Sequence, residues 1–166
     1  MTNRDVSLMV NDESCELEVE SHELLIHTLR DEIGYTGPNL GCETGVCGAC
    51  TVHVNGSAVK ACTQLTVQVD GADITTIEGL SETGDHPLQE GFHEEHGLQC
   101  GYCTPGMIMT AADYLTENPD PDRDEVRSAI KGNICRCTGY HNIVDAVQTA
   151  ANAMNDSHAD STNGGE

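Results

Sequence analysis

Eight of the nine cysteines in this 166-residue chain fall into two groups of four, and this arrangement constrains the fold more than any other feature. The first group spans residues 42–62 and the second spans residues 100–137. Aromatic residues make up only 3% of the chain, with one Phe and no Trp, so a large aromatic core is excluded. Small domains that lack such a core need another source of stability, for example a bound metal. The cysteine groups indicate that source.

The N-terminal half has the apolar pattern of a strand-rich fold that contains one helix. Apolar residues alternate with polar ones over 6–10 and again over 15–19, which predicts a hairpin with one buried face. The spacing becomes helical over 22–33. Asn55-Gly56 predicts a second tight hairpin turn, because both residues tolerate positive φ. A further alternating run over 65–69 predicts another strand.

The C-terminal half has helical spacing throughout. Thr104 followed by Pro105 predicts a helix N-cap and first helical residue. Asp122 with Glu125 resembles a capping box at the start of the next helix. We expect a first domain over residues 1–78, a helical domain over 79–154, and a disordered acidic and polar tail over 155–166. The fold class expected is therefore α+β.

The first cysteine group has the spacing C-x4-C-x2-C with a fourth cysteine further on, which is the spacing of plant-type [2Fe-2S] ligation. Glycines in the loop allow positive φ, so the backbone can wrap a cluster and its amides can reach the cluster sulfurs. Structural zinc is the alternative, although zinc sites favour paired short knuckles. The four candidate ligands are Cys42, Cys47, Cys50 and Cys62.

The second cysteine group combines C-x2-C with C-x-C, a pattern that is less specific. Spacing alone leaves zinc open as a competitor. Both pairs fall at predicted helix starts, where the helix dipole stabilises thiolates and a negatively charged cluster. A second [2Fe-2S] cluster is favoured by the first group nearby. The candidate ligands are Cys100, Cys103, Cys135 and Cys137.

The strongly acidic composition excludes several classes of partner. The formal net charge is −21, from 28 acidic and 7 basic residues, which repels nucleic acid and anionic membranes. We interpret this surface as halophilic, because carboxylates keep a protein soluble at high salt.

The N-terminus lacks a secretory signal and no segment is apolar enough to span a membrane, so we expect a cytoplasmic protein. In a reducing cytosol clustered cysteines are metal ligands more often than disulfides.

Four motifs, in a fixed order, carry a resemblance to a known family. They are Gly-Cys-Glu-Thr-Gly-Val-Cys-Gly-Ala-Cys-Thr-Val at 41–52, Ile-Thr-Thr-Ile-Glu-Gly-Leu at 74–80, Leu-Gln-Cys-Gly-Tyr-Cys-Thr-Pro-Gly at 98–106, and Gly-Asn-Ile-Cys-Arg-Cys-Thr-Gly-Tyr at 132–140. With them the chain resembles the small iron–sulfur subunit of the xanthine dehydrogenase, aldehyde oxidoreductase and carbon monoxide dehydrogenase superfamily, the molybdenum hydroxylases.

The resemblance implies a fold, cofactors and partners. It implies a β-grasp plant-type ferredoxin domain followed by an all-α four-helix [2Fe-2S]-binding domain. Electrons would pass from molybdopterin on a large subunit, through the two clusters, to FAD on a medium subunit. Gln99 and Cys137 would contact the pterin. The assembly would be a hetero-oligomer, and a dimer of heterotrimers is one arrangement.

Two other functions remain open from the sequence. An independent soluble two-cluster electron carrier would use the same ligands without partner subunits. A zinc-stabilised interaction module would use the cysteines for structure alone. Cys15, the ninth cysteine, is in register with Leu17 and Val19, so we interpret it as a small buried hydrophobe without a ligand role.

Overall fold

The computed structural model of the chain describes residues 2–80 and 86–162, and side chains in the last segment as far as residue 157. We call residues 2–80 the sheet half and residues 86–162 the helical half. Residues 81–85, between the two halves, lie outside the described residues. Within the described residues, no helix has the length and apolar character needed to cross a membrane.

The sheet half begins with the predicted hairpin. Strand β1 (Asn3–Val10) pairs antiparallel with strand β2 (Glu13–Glu20). Val6, Leu8 and Val10 are buried while their neighbours face solvent, so the alternation of the sequence is the alternation of the strand. The predicted hairpin is confirmed.

Three more strands complete a mixed sheet. Strands β3 (Thr51–Val54) and β4 (Ser57–Lys60) flank the predicted turn, where Asn55 and Gly56 take φ of 50° and 83°. Strand β5 (Asp73–Thr75) pairs parallel to β1 and antiparallel to β3, giving the order β2-β1-β5-β3-β4. The second hairpin is confirmed as well.

One helix contributes to the core of the sheet half. Helix α1 (Leu25–His27) continues directly into a wider π-helical segment, Thr28–Ile33. Leu25, Ile26 and Leu29 are fully buried in the same apolar cluster as the inward residues of the sheet. Gly34, with φ of 97°, ends the segment.

The run over 65–69 is not the strand that its alternation predicts. Residues Thr66–Val69 form a 3-10 turn, in which the side-chain oxygen of Gln68 accepts from the Leu65 amide at 3.1 Å. Thr66 and Val69, three positions apart, are the buried residues, which is the spacing of a 3-10 turn. A local hydrogen bond and tertiary burial override the two-residue alternation here.

Four helices build the second half. They are α2 (Pro87–Glu94), α3 (Thr104–Glu117), α4 (Arg123–Ala129) and α5 (His141–Thr162). Their apolar stripes meet in a second buried cluster centred on Leu88, Phe92, Met107, Val126 and Val144. Ile77 and Leu80 of the sheet half also pack against this cluster. The α+β class is confirmed.

The helix ends follow the sequence with two corrections. Asp122 caps α4 together with Glu125, as predicted. Helix α3 is capped by Cys103, one residue before the predicted Thr104. Helix α5 continues to Thr162, although composition indicated a disordered tail from residue 155. The Asn155 amide donates to Pro119 O at 2.8 Å, a tertiary contact that composition does not reveal. Residues 163–166 lie outside the described residues.

Candidate functional site

The first cysteine group lies on the loop before β3 and on the turn after β4. Glu43, Gly45 and Gly48 take φ of 53°, 73° and 73°, so the loop curls back on itself. Gly41 needs the absence of a side chain for another reason, since a Cβ atom there would lie 2.9 Å from the sulfur of Cys47. The predicted use of glycines in this loop is confirmed for the positive φ of Gly45 and Gly48.

Backbone amides in this loop point at a thiol sulfur. The amides of Thr44 and Cys47 donate to Cys42 Sγ at 3.4 and 3.3 Å. Hydrogen bonding from the Thr44 side chain, followed by that from the Cys47 and Thr44 amides, lowers the pKa of Cys42 to about 6. The Cys42 thiolate, which is the form that binds metal, is thus favoured near neutral pH.

The other sulfurs of this group lie deeper. Cys50 and Cys62 are buried, and burial raises the pKa of Cys50 to about 12, although hydrogen bonding with the Cys62 backbone acts in the opposite direction. The Cys62 and Cys47 thiols are both close enough to Cys50 to act on its pKa. Lys60 Nζ donates to Gly45 O at 2.7 Å, which joins β4 to the loop.

The second cysteine group is assembled from two separate loops. Cys100 and Cys103 precede α3, while Cys135 and Cys137 lie between a 3-10 turn at Ile130–Gly132 and α5. Cys100 Sγ and Cys137 Sγ are 3.6 Å apart. The thiols of Cys103 and Cys135 are close enough to shift each other's pKa, so the four residues meet as two cross-loop pairs. Cys103 occupies the N-cap position of α3, whereas Cys135 and Cys137 precede α5 by several residues.

The thiols of the second group have pKa values shifted in different directions by their surroundings. Burial raises the pKa of Cys103 to about 12. Burial also acts on Cys135, yet hydrogen bonds with Thr138 outweigh it and lower the pKa of that thiol. The hydrogen bond with Cys100 raises the pKa of Cys137. Tyr140 supports this loop, because its hydroxyl accepts from the Cys135 amide at 2.9 Å.

A cavity of about 220 Å³ lies between the two groups. Its lining is mostly apolar and includes six of the eight candidate ligands, together with the exposed side chain of Ile134. The six are Cys42, Cys47, Cys100, Cys103, Cys135 and Cys137. Within residues 2–80 and 86–162, no three His, Cys, Asp or Glu side chains converge tightly enough to hold a single metal ion.

The structure also places Gln99, Cys137 and Cys15. Gln99 is exposed directly before Cys100, and among the described residues no hydrogen-bond partner of its side chain is found. Cys137 is also exposed. Cys15 is half-buried against the core of the sheet half, and burial raises the pKa of its thiol.

Sequence reasoning did not single out Asn133. This residue is 3% exposed and lies between the two cysteine groups. Its position in Gly-Asn-Ile-Cys, a polar residue beside an apolar one just before a ligand pair, is the signal that could have indicated it. Only the tertiary structure shows what its side chain contacts.

Known families match both halves of the chain. Residues 13–85 match the family described as "2Fe-2S iron-sulfur cluster binding domain", and residues 76–148 match "[2Fe-2S] binding domain". Each match contains one complete cysteine group.

Relatives match over nearly the full length. The chain is 46% identical to the caffeine dehydrogenase subunit gamma of Pseudomonas sp. (strain CBB1), covering 91% of this chain and 93% of that protein. It is 47% identical to the nicotine 6-hydroxylase small subunit of Paenarthrobacter nicotinovorans, covering 88% of each.

Solved structures agree with this likeness. The crystal structure of quinoline 2-oxidoreductase from Pseudomonas putida 86 contains a chain with a TM-score of 0.88 and 43% identity, covering 93% of this chain and 97% of that chain. Aldehyde oxidoreductase from Desulfovibrio gigas gives a TM-score of 0.87 at 43% identity, over 93% of this chain and 17% of that longer chain. Matches of this quality over nearly the full length show that the chain belongs to the family of small [2Fe-2S] iron–sulfur subunits of molybdenum hydroxylases, and that it is an electron-transfer subunit of an oxidoreductase complex.

Proposed function

We propose that the chain relays electrons from molybdopterin on a large subunit, through two [2Fe-2S] clusters, to FAD on a medium subunit. The observation that carries this proposal is the unequal exposure of the two cysteine groups within one folded chain. Cys50 and Cys62 are buried, whereas Cys100 and Cys137 are exposed. A relay needs one group that a partner can approach closely, and the second group supplies it.

The sheet half is proposed to be a β-grasp ferredoxin domain and the helical half a four-helix [2Fe-2S]-binding domain. The mixed five-stranded sheet with helix α1 buried in the same core supports the first assignment. The common core of α2, α3, α4 and α5 supports the second. The two family matches divide the chain in a similar way.

The eight cysteines of the two groups are proposed as the cluster ligands, and their donor chemistry fits that role. Four thiols per group supply the Cys₄ set that a [2Fe-2S] cluster requires. When bound, such a cluster accepts and releases single electrons, at a potential set by its charge, its hydrogen bonds and its solvent exposure. The Thr44 and Cys47 amides favour thiolate at Cys42 in the first group. Tyr140 and Thr138 orient Cys135 at the second group.

The exposed side of the second group is proposed as the contact with the large subunit. Tyr102 and Ile134 keep 49% and 48% of their surface exposed close to the cysteines. Apolar side chains gathered around a functional group are typical of a surface that a partner covers. The Gln99 side-chain amide can pair with the donors and acceptors of a pterin, because it both donates and accepts hydrogen bonds. The proposed assembly is a cytoplasmic hetero-oligomer.

The test is purification of the tagged chain from its own cells, followed by assay of the captured material. We expect two larger subunits to co-purify, with molybdenum on one and FAD on the other, in amounts equal to the tagged chain. The untagged strain serves as the control. A chain that carries both clusters but is recovered alone, with neither molybdenum nor FAD, would contradict the proposal and favour an independent two-cluster carrier.

A further inference from the structure

The Asn133 side chain is buried at the junction of the two cysteine groups. It is 3% exposed, and it is the one residue with a side-chain amide that is buried among the described residues. It lies two positions before Cys135, in the loop that carries half of the second group. A buried amide is retained only where its hydrogen-bonding groups are satisfied, so its partners show what it holds together.

Its partners lie on the loop of the first group and on the first turns of α3, the helix that follows Cys100 and Cys103. The Asn133 Nδ2 atom donates to Gly48 O and to Gly106 O, each at 3.0 Å. Its Oδ1 atom accepts from Thr110 Oγ1 at 3.0 Å. Gly48 lies between Cys47 and Cys50, and Gly106 follows Cys103 by three residues. Both N–H groups and the oxygen are thus used, and the amide has one orientation.

The loops around Asn133 are in direct backbone contact. A Cβ atom on Gly106 would lie 2.1 Å from Gly48 O, and one on Gly48 would lie 2.6 Å from Asn133 Nδ2. The amide of Ile134 donates to Cys47 O at 2.8 Å across the same junction. The loops therefore have no free space in which to adjust, and a change at the amide must move one of them.

We infer that Asn133 is a positioning residue that sets the separation of the two cysteine groups, and with it the electronic coupling between the centres they hold. The inference rests on the proposed function, because coupling matters only if both centres are present. Removing the amide breaks the hydrogen bonds that join the loop of Asn133 to Gly48 O of the first group and to Gly106 O of α3. The two carbonyl oxygens keep hydroxyl donors of their own, from Thr51 and Thr110, so nothing then holds the loop of Asn133 against them and the loops can part. Electron tunnelling weakens steeply with separation, so parted loops slow transfer between the groups even when each group keeps its metal.

The experiment measures the magnetic interaction between the two reduced centres in the purified complex, after complete reduction by dithionite. The first variant is Asn133→Leu, which has similar volume and no amide. The second is Thr110→Val, which removes the hydroxyl that Asn133 Oδ1 and Gly106 O share. Thr110→Ser retains that hydroxyl and is the rescue variant. Thr116→Val is the matched control, because the Thr116 hydroxyl makes the same helical bond to the carbonyl four residues earlier, at 3.0 Å, and makes no hydrogen bond with Asn133 among the described residues.

The expected result is loss of the splitting caused by the interaction in Asn133→Leu and its weakening in Thr110→Val, with iron content kept. Thr110→Ser and Thr116→Val should have the splitting of the unmodified complex. A residue with a merely structural role would lower stability without changing this splitting. Unchanged splitting in Asn133→Leu, with both centres reduced, would overturn the inference.

If Asn133→Leu does not retain iron, the magnetic splitting is compared between Thr110→Val and Thr110→Ser instead. Weakening in Thr110→Val alone supports the inference, and equal spectra of Thr110→Val and Thr110→Ser overturn it. An unmodified complex without two paramagnetic centres would instead contradict the proposed function itself. The two failures are therefore distinguishable.

Discussion

The two cysteine groups are held in different ways. Three cysteines of the first group lie on one short loop. Residues with positive φ curl this loop, and Lys60 donates a hydrogen bond to its Gly45 carbonyl oxygen. The second group exists only because the loops before α3 and α5 meet, and their positions depend on the apolar core of the helical half. Local geometry therefore stabilises the first site, whereas tertiary packing creates the second.

The groups also differ in their surroundings. Cys50 and Cys62 are covered by this chain, while Cys100 and Cys137 face outward. The properties of the first site are thus set mainly within the chain. Those of the second depend on whatever covers it, since exposure is one of the quantities that tune an iron–sulfur cluster.

The largest expected effect separates the two groups by their ligands. Cys47→Ala should abolish the first cluster and leave the second, and Cys103→Ala should do the reverse, because each removes a thiolate from a different Cys₄ set. Iron content and the spectrum of the reduced protein measure the outcome, and each variant should lose about half of its iron. Cys15→Ala is the matched control and should lose none. Loss of iron from the control would show that the ligands are wrongly assigned.

A core substitution should sharpen the contrast between local and tertiary support. Phe92 is fully buried among the helices, and Phe92→Ala should cost about 3–5 kcal/mol of stability in the helical half. We expect the variant to lose the second cluster at a lower denaturant concentration than the first. In the unmodified protein the two concentrations should differ by less. The visible absorbance of each cluster during a denaturant titration provides the measurement. Loss of both clusters together would contradict the distinction.

The next effect tests the outward side of the second group. Gln99→Leu should keep both clusters and the assembled complex, yet slow the reduction of the clusters by substrate. Loss of one buried hydrogen-bonding contact costs about 1–3 kcal/mol, which corresponds to roughly a tenfold to hundredfold slower step if the full cost falls on the barrier. Reduction by dithionite, which does not use the pterin, is the internal control. A normal rate with substrate would remove Gln99 from the proposed path.

The smallest effect concerns the acidic surface, which both halves share. Asp5 lies directly opposite Glu18 across β1 and β2, and both side chains are exposed. Asp5→Lys should stabilise the chain by about 0.2–1 kcal/mol at low salt, because it replaces a like-charge pair. Asp120→Lys is the control, because it changes the net charge by the same amount at a residue in an exposed loop. It should stabilise the chain by less than Asp5→Lys does.

Salt distinguishes this charge effect from a packing effect. Molar salt screens exposed charges, so the advantage of Asp5→Lys should shrink as salt is added. The unmodified chain, at a net charge of −21, should melt at a higher temperature in molar salt than in dilute buffer. Thermal melts across a salt series provide both measurements. A melting temperature independent of salt would contradict the interpretation of the surface as halophilic.

The sequence predicted the elements whose signals are local. The alternation over 6–10 specified one face of β1, and Asn55-Gly56 specified the turn between β3 and β4. Asp122 capped α4 as expected. Each of these depends on neighbours within a few residues along the chain, which is the range that a pattern records.

The errors arise where distant parts of the fold decide the outcome. The run over 65–69 alternates like a strand, but the Thr66 amide donates to the distant Glu23 O at 2.9 Å, Gln68 bonds back to the Leu65 amide, and the segment turns. The composition after residue 155 indicated disorder, whereas Asn155 contacts Pro119 and the helix continues.

The candidate site shows the same difference between local signals, which the sequence predicts, and distant contacts, which it does not. The spacing of the first cysteine group is specific because one loop supplies most of it. The pairing of Cys100 with Cys137 and the role of Asn133 depend on loops that lie far apart in sequence. No spacing rule within a single segment predicts such contacts.

The most direct test of the two-site account is the metal content of the anaerobically purified protein. Iron and acid-labile sulfide are measured per chain, together with the paramagnetic spectrum after full reduction. We expect about four iron and about four sulfide per chain, from two [2Fe-2S] clusters, and two distinct signals, because two cysteines of the first site are buried whereas two of the second are exposed. About two irons or fewer per chain, or a colourless protein that contains zinc, would contradict it.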